Sequence, residues 1–255
     1  MILTAKNYFS RKANLEYMSA SQFKAFSQCP AAAMAELKGK YKREKTTAML
    51  VGSYVDSYFE GTLEAFKKQN PEIFKRDGTL KADFLQAEEI IRRIEREKLF
   101  MKYLNGEKQV IMTGSIAGVQ VKIKVDALHS DRIVDLKIMR DFAPVYIEDQ
   151  GKMPWFAAWG YDLQGAVYQE IVRQNTGKRL PFFLAAATKE KITDLDIVRI
   201  VQADLDVAFD RFARDAPGFD AIKCGIMEAE RCENCEYCKI SKRLKAPTDS
   251  TEFYW

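Results

Sequence analysis

Hydrophobic and polar residues alternate along positions 118–128, as they do in a β-strand that is buried on one side. The apolar positions are Val119, Val121, Ile123 and Val125, and the polar ones are Gln120, Lys122, Lys124 and Asp126. The alternation returns over 133–138, after a polar turn. The two segments predict an antiparallel β-hairpin that places Asp126, Asp135 and Lys137 on one surface.

Helical and strand-like patterns surround this hairpin. They predict a helix over 82–104, a strand over 109–113, a helix over 155–173, a strand over 181–187, a strand over 195–201 and a helix over 203–214. The apolar stripe of the first helix contains Leu85, Ile90, Ile91, Ile94, Leu99 and Phe100. From 82 to 187 the order is helix, three strands, helix, strand. This order predicts an α/β fold with a mixed sheet flanked by helices.

The hairpin carries residues suited to metal-dependent chemistry. Two nearby carboxylates, Asp126 and Asp135, repel each other, and a hard divalent cation such as Mg²⁺ relieves that repulsion. Lys137 beside them can orient or activate a water, or balance charge on a phosphate. The spacing D-x8-D-x-K also occurs on exposed strands that carry ordinary surface charges. The pattern alone leaves both interpretations open.

Length and composition favour one domain of moderate size. The chain has 255 residues, of which 47% are hydrophobic, and a formal net charge of +4. We expect a single domain over 1–255, with a mainly helical part over 1–105, a catalytic core over 106–190 and a C-terminal part over 191–255. The sequence has no run of 18 apolar residues and no apolar signal-peptide core near Met1. We therefore expect a cytoplasmic protein that does not associate with membranes.

Several other kinds of chemistry are poorly supported. His129 is the chain's only histidine, and its predicted place is a turn, so Ser-His or Cys-His catalysis has little basis. No nucleotide-binding glycine loop is present. Because the net charge is small, phosphate contacts would depend on local basic clusters. The two candidates are Lys38, Lys40, Lys42, Arg43 and Lys45, and Lys239, Lys242, Arg243 and Lys245. Either could equally be a solvated loop.

Three cysteines, Cys232, Cys235 and Cys238, have the spacing C-x2-C-x2-C. In a reducing compartment this spacing favours metal binding over disulfides. Three thiolates normally require a fourth ligand, and the candidates are Cys29 and Cys224. A [4Fe-4S] cluster, a zinc ion and metal-free thiols all remain possible from the residues.

Four motifs in order resemble the PD-(D/E)xK nuclease superfamily, in particular its RecB-like branch and the phage RecE-like exonucleases. They are the opening segment 18–30 that ends in Cys29-Pro30, the segment 51–56, the hairpin, and the Q-x-x-x-Y motif from Gln164 to Tyr168. Where that family carries a metal-binding histidine on a helix, this chain has Asp56. A carboxylate suits Mg²⁺ or Mn²⁺ at least as well as imidazole.

The resemblance implies a restriction-endonuclease-like α/β core and a specific set of site residues. Asp56, Asp126, Asp135 and the Leu136 carbonyl would bind the metal, Lys137 would act on the attacking water, and Gln164 and Tyr168 would position water or the DNA backbone. Iron-sulfur members of the branch use one cysteine before the core and three after it. That pattern implies Cys29, Cys232, Cys235 and Cys238 as ligands of a [4Fe-4S] cluster, with zinc as the alternative. The last two cysteines of such a set are usually spaced more widely.

The resemblance also implies a substrate and partners. It predicts a phage or prophage exonuclease that degrades linear duplex DNA, with a possible single-strand annealing partner and a possible homo-oligomer. Two other functions are compatible with the same residues. One is a DNA-binding recombination scaffold with a weak or inactive site, which Asp56 in place of histidine keeps open. The other is a structure-specific endonuclease.

Overall fold

The computed structural model describes residues 1–148, 150–244, 246–247 and 249–253. Within this part, the strands are β1 (Glu107–Ile116), β2 (Val119–Leu128), β3 (Ile133–Met139), β4 (Val145–Ile147), β5 (Gly151–Met153), β6 (Phe182–Thr188) and β7 (Leu195–Arg199). The helices are α1 (Arg11–Glu16), α2 (Ala20–Gln28), α3 (Pro30–Leu37), α4 (Thr47–Phe59), α5 (Leu63–Gln69), α6 (Ala82–Glu95), α7 (Lys98–Leu104), α8 (Trp155–Ala158), α9 (Tyr161–Thr176), α10 (Gln202–Lys223) and α11 (Glu236–Ile240). Short 3-10 helices span Pro71–Ile73 and Ser250–Phe253.

Five strands form a mixed sheet in the order β1-β2-β3-β6-β7. The central pair, β3 and β6, is parallel from the Ile133 and Phe182 pair to the Met139 and Thr188 pair, and the other pairs are antiparallel. The chain crosses from β3 to β6 through α8 and α9, as a parallel connection requires. Strands β4 and β5 form a separate two-stranded ribbon. The predicted α/β fold with a mixed sheet flanked by helices is confirmed.

The sheet separates two hydrophobic cores. On one face, Val121 and Ile123 of β2 pack with residues of α2, α9 and α10. On the other face, Val134 and Leu136 of β3 pack with residues of α4, α6 and α7. Each fully buried side chain of this kind stabilises the fold by about 1.5–3 kcal/mol. Because side chains alternate along a strand, Asp135 of β3 points away from Leu136 and toward α9.

Two predicted helices are each divided in the structure. The segment 82–104 forms α6 and α7, because Glu97 adopts an extended backbone and its side chain accepts a hydrogen bond from the N–H of Leu99 at the start of α7. Leu85 and Leu99, which we placed in the apolar stripe, are 51% and 55% exposed. The segment 155–173 forms α8 and α9, which are separated by Gly160 in the left-handed conformation at φ +63°.

Other element boundaries also differ from the prediction. Helix α10 continues past its predicted end at 214 and through Pro217 to Lys223. Strand β1 extends beyond 109–113 at both ends, and β7 ends two residues before the predicted limit of 201. Among the described helices, none is long and apolar enough to cross a membrane.

Lys122 departs from the polar face that the alternation predicts. Its side chain is buried, and its Nζ donates to the Tyr8 carbonyl oxygen at 2.5 Å and to Asn14 Oδ1 at 2.6 Å. The reason is that the N-terminal segment covers this part of β2, where Met18 forms a parallel bridge with Val121. Burial, together with the charge of Lys223, lowers the pKa of Lys122 to about 8.

Candidate active site and cysteine cluster

The candidate site lies where β2 and β3 separate. Their backbone pairing covers Leu128 with Ile133 and Ala127 with Val134. At the next position Asp126 Oδ2 instead accepts a hydrogen bond from the backbone N–H of Leu136 at 3.0 Å. The carboxylate thus satisfies a strand N–H at the point where the ladder opens.

Asp135 and Lys137 occupy alternate positions on β3 and form an ion pair through Asp135 Oδ2. The Asp135 side chain is only 2% exposed, and its Oδ1 accepts a hydrogen bond from Gln164 Nε2 at 2.6 Å. Burial by itself lowers the pKa of Lys137, but the carboxylates of Asp135 and Asp126 outweigh it, so the pKa lies above its usual value. Lys137 is therefore held as a charged ammonium beside the carboxylates.

Gln164 and Tyr168 lie one turn apart on α9 and face the same cleft. The Gln164 side chain donates directly to Asp135. The Tyr168 hydroxyl donates to the Lys124 carbonyl oxygen on β2 at 3.0 Å. The structure therefore brings Gln164 to the carboxylates, whereas Tyr168 fixes α9 against the strand that carries Asp126.

Asp56 reaches the cleft from α4, which begins after Thr46, whose side chain accepts a hydrogen bond from the N–H of Met49. Asp56 Oδ1 is buried and has no hydrogen-bond partner among the described residues. Burial and then the charge of Asp126 raise the pKa of Asp56 well above its usual value. A buried carboxylate oxygen without a donor, beside two further carboxylates, fits a bound divalent cation.

The cleft that Asp56, Asp126 and Asp135 line has a volume of about 840 Å³, which leaves room for water as well as protein ligands. Mg²⁺ usually binds through one or two carboxylates and keeps several waters. The arrangement is therefore compatible with a hydrated ion.

Two further polar residues, Glu60 and Gln109, lie at the site. Glu60 is the C-cap of α4, one turn after Asp56, and its Oε1 is 3.6 Å from Lys124 Nζ. Gln109 Nε2 lies 3.4 Å from Asp126 Oδ1, to which it donates a hydrogen bond. The i to i+4 spacing of Asp56 and Glu60 was a usable signal, because such residues share a helix face. Gln109 lies opposite Asp126 between the Lys108 and Ala127 pair and the Val110 and Val125 pair of β1 and β2, so pairing of these two predicted strands was also a usable signal.

Lys24 of α2 is a second, half-buried cation near the site. Its Nζ donates to the Trp159 carbonyl oxygen at 3.1 Å and lies 5.2 Å from the centre of the Tyr161 ring. Lys137 Nζ lies 5.0 Å from the centre of the same ring. Burial and then the charge of Lys137 lower the pKa of Lys24 to about 8.

The four cysteines that the family pattern implies come together. Cys29, Cys232, Cys235 and Cys238 place their Sγ atoms within 4.8 Å of one another, and Cys29 Sγ lies 3.6 Å from Cys238 Sγ. Cys224, the other candidate ligand, is exposed and is not part of this group. The cluster could hold a metal ion.

Backbone N–H groups point at the cysteine sulfurs. Cys232 Sγ accepts from the N–H of Cys235 at 3.3 Å, and Cys235 Sγ accepts from the N–H of Cys238 at 3.5 Å. Cys29 Sγ accepts from the N–H of Ala32 at 3.5 Å, at the start of α3. Hydrogen bonds of this kind stabilise thiolates, which are the forms that bind metals.

The two basic clusters lie close to each other in the fold. The Tyr41 hydroxyl donates to Glu236 Oε2 at 2.8 Å, and its ring centre lies 5.3 Å from that of Tyr237. The described lysines and arginines of both clusters are exposed, and Lys245 lies outside the described residues. His129 lies in the turn between β2 and β3, as predicted.

The chain is similar to a known family and to a solved structure. A family described as a PDDEXK-like domain of unknown function matches residues 19–241. The crystal structure of a "Putative exonuclease" from Eubacterium rectale is 48% identical, with a TM-score of 0.96, and the match covers 99% of this chain and 98% of that one. No curated protein matches the chain. The family match covers most of the sequence, and the chain therefore belongs to the PDDEXK-like domains.

Proposed function

We propose that this protein is a divalent-metal-dependent exodeoxyribonuclease that hydrolyses linear duplex DNA in the cytoplasm. The observation that supports it best is the convergence of Asp56, Asp126 and Asp135 with Lys137 in one cleft, where Asp56 Oδ1 is buried and has no donor among the described residues. A nuclease of this class needs a cation held by oxygen ligands next to a group that balances phosphate charge.

In this proposal Asp56, Asp126, Asp135 and the Leu136 carbonyl hold Mg²⁺ or Mn²⁺. Such an ion supplies a Lewis acid for the phosphate and lowers the pKa of a bound water. Gln164 fixes the orientation of Asp135 through its hydrogen bond, as partners of metal ligands commonly do. Tyr168 keeps α9 against β2, so that Gln164 stays in reach.

Lys137 balances charge rather than accepting a proton. Its pKa lies above the usual value because of the neighbouring carboxylates, so the ammonium keeps its proton at neutral pH. An ammonium in this place stabilises the negative charge that develops on the scissile phosphate and can orient the attacking water. The proton of that water then leaves to solvent or to an oxygen of the substrate.

The exonuclease assignment is supported by two resemblances. One is the motif order shared with RecE-like exonucleases, and the other is the similarity to the E. rectale protein described as a "Putative exonuclease". A role in phage recombination, a single-strand annealing partner and a homo-oligomer rest on the first resemblance. The division of the single domain into three parts stays a prediction.

For the cysteine cluster we propose zinc in place of the [4Fe-4S] cluster that the family pattern implies, and the [4Fe-4S] cluster becomes the alternative. Tetrahedral zinc with sulfur ligands at about 2.3 Å places the sulfurs about 3.8 Å apart. The distances of 3.6 Å from Cys29 to Cys238 and 4.0 Å from Cys232 to Cys238 are close to that value. In a cubane cluster each sulfur binds a different iron, which holds the sulfurs farther apart. The ion would join α3 to the C-terminal segment.

Digestion of linear and circular duplex DNA tests the nuclease proposal. We expect the wild type to degrade linear DNA with Mg²⁺ or Mn²⁺, and Asp126→Ala and Lys137→Ala to abolish this activity. Lys178→Ala, a change at an exposed lysine in the loop before β6, is the matched control and should stay active. Digestion that survives both site substitutions contradicts the assigned site. Cutting of circular DNA favours an endonuclease, and binding without digestion favours a scaffold.

A further inference from the structure

The cleft has two arms that meet at the candidate catalytic residues. The first arm, about 840 Å³ in volume, is lined by polar groups that include Glu60, Lys108 and Lys124. The second, about 750 Å³, is lined by apolar and aromatic groups of α4, α8 and α9. Both arms are lined by Ser53, Asp56, Leu136 and Lys137. The two arms therefore meet at the residues that we propose act on the phosphate.

Trp159 is the aromatic residue that the second arm presents to solvent. It is 57% exposed, and its ring forms no aromatic pair with any other described residue. Trp155, by contrast, is buried and packs against Phe142, Phe156 and Tyr161. The packing of the arm therefore does not depend on the Trp159 ring, which is left free to contact a ligand.

The backbone of Trp159 is held in place although its ring is exposed. Its N–H donates to the Trp155 carbonyl oxygen at 3.1 Å, and its carbonyl oxygen accepts from Lys24 Nζ at 3.1 Å. Gly160 follows in the left-handed conformation, and a Cβ at that position would lie 3.0 Å from the Lys24 side chain. A ring on a fixed backbone loses little entropy when a planar ligand stacks on it.

We propose that the second arm binds a single-stranded segment of the DNA, with a base stacked on Trp159; this inference rests on the proposed nuclease function. Proteins that bind single strands combine aromatic platforms with cations along the backbone path. The arm supplies the cations Arg140 and Lys189 at its lining. Met49 of α4 lines the same arm and adds an apolar surface that a base can contact.

The position of Lys137 between the two arms indicates which DNA strand enters the second arm. Because Lys137 lines both arms, the base on Trp159 belongs to the strand whose phosphate is cleaved. A duplex end would then have to separate before hydrolysis, with the cleaved strand in the arm and its complement outside. Ends that already carry a short single-stranded overhang should be preferred substrates.

The test measures binding of a short single-stranded oligo-dT that carries one 2-aminopurine, in buffer without divalent metal so that no cleavage occurs. Stacking on Trp159 should quench the 2-aminopurine fluorescence. Trp159→Ala should remove the quenching and weaken binding roughly tenfold to 100-fold. Trp159→Phe should retain part of the quenching and part of the affinity. Because the Lys24 hydrogen bond is to the Trp159 backbone, these variants keep it.

Tyr146→Ala is the matched control, since Tyr146 is 74% exposed on β4 and does not line the arm. It should bind and quench as the wild type does. Quenching and affinity within twofold of wild type in Trp159→Ala overturn the proposal, provided that its thermal unfolding is unchanged. A second result also overturns it. If Trp159→Ala loses as much quenching and affinity for a blunt duplex with a terminal 2-aminopurine as for the single strand, the Trp159 ring stacks on a base pair.

Cleavage kinetics separate this inference from the nuclease proposal. On overhang substrates, Trp159→Ala should raise KM and leave kcat nearly unchanged, because stacking affects binding and not the reacting groups. Trp159-dependent quenching in a protein that digests no DNA would support the arm and refute the nuclease function. Digestion with the same KM and kcat in Trp159→Ala as in wild type would support the nuclease function and refute base stacking in the second arm.

Discussion

Asp126 on β2 accepts a hydrogen bond from the backbone N–H of Leu136 on β3, at 3.0 Å from its Oδ2. The same carboxylate faces the cleft that Asp56 and Asp135 line. The Asp126 side chain therefore has two roles: it contacts the β3 backbone, and it is a candidate metal ligand. The contact keeps the two strands at a fixed separation, and this separation positions the Leu136 carbonyl and Lys137.

Substitutions at Asp126 should distinguish these roles. Asp126→Asn keeps an oxygen that can accept from Leu136, so we expect stability close to wild type and a loss of nuclease activity of roughly 100-fold or more. Asp126→Ala removes the acceptor as well and should lower the free energy of unfolding by about 1–3 kcal/mol. Urea unfolding and DNA digestion measure the two effects. Equal destabilisation by both variants would contradict the structural role.

The pKa of Asp56 predicts how stability depends on pH without divalent metal. The folded protein keeps the Asp56 proton above pH 4, where an unfolded Asp has lost it, so the folded state binds more protons. The free energy of unfolding should therefore fall as pH rises above about 4, by at most about 1.4 kcal/mol per unit from this group. Added Mg²⁺ should restore stability at the higher pH.

Asp56→Asn is the control for this pH effect, because it removes the titrating group and keeps its size. In Mg²⁺-free buffer the variant should become more stable than wild type as pH rises from 5 to 8, and Mg²⁺ should stabilise it less than wild type. Thermal and urea unfolding at several pH values measure both effects. Parallel stability curves for the two proteins would show that Asp56 is not protonated in the folded state.

The fold was largely predictable because hydrophobic residues recur at regular intervals along its central strands and helices. Alternation in β3 predicts that Asp135 and Lys137 share a face, as they do. The position of Gln164 beside Asp135 was indicated by the family resemblance and not by the helical pattern. The hydrophobic pattern does not predict the breaks between helices at Glu97 and Gly160, because the helical spacing of hydrophobic residues continues across both positions. Helix caps and left-handed residues depend on local geometry that a hydrophobic pattern does not record.

The surroundings of the site were less predictable. Lys122 looks like a solvent-facing residue of β2 in the sequence, but a segment more than 100 positions earlier covers it and supplies its acceptors. Lys24 of α2 reaches the site in the same way, from 135 positions before Trp159. Such contacts depend on the tertiary fold, and one sequence contains no local signal for them.

Gln164 should control metal affinity through Asp135. Gln164→Ala removes the 2.6 Å donor to Asp135 Oδ1, and we expect the Mg²⁺ concentration for half-maximal activity to rise roughly 10- to 100-fold. Gln174→Ala on the same helix is the control, because Gln174 donates to the Ser115 carbonyl oxygen instead. If saturating Mg²⁺ restores no activity to Gln164→Ala, the residue acts on the substrate and not on the metal.

The two basic clusters, over residues 38–45 and 239–245, should contribute salt-dependent DNA binding. Replacing Lys242 and Arg243 together by alanine should weaken duplex binding at low salt. The slope of log affinity against log salt should become shallower by about one for each phosphate that the variant no longer neutralises. Fluorescence anisotropy across a series of salt concentrations measures this slope, with Lys178→Ala as the control. An unchanged slope would show that these side chains are solvated and do not bind DNA.

The cysteine cluster should hold one metal ion that stabilises the contact between α3 and the C-terminal segment. Cys232→Ser should lose the metal and lower the unfolding temperature, because one ligand of the group that contains Cys29 is removed. Cys224→Ser is the matched control, since Cys224 is exposed and lies outside the group. Elemental analysis and visible absorbance of anaerobically purified protein identify the metal. One zinc per chain without visible colour supports the zinc proposal, whereas about four irons with a brown colour would require a [4Fe-4S] cluster and wider sulfur spacing.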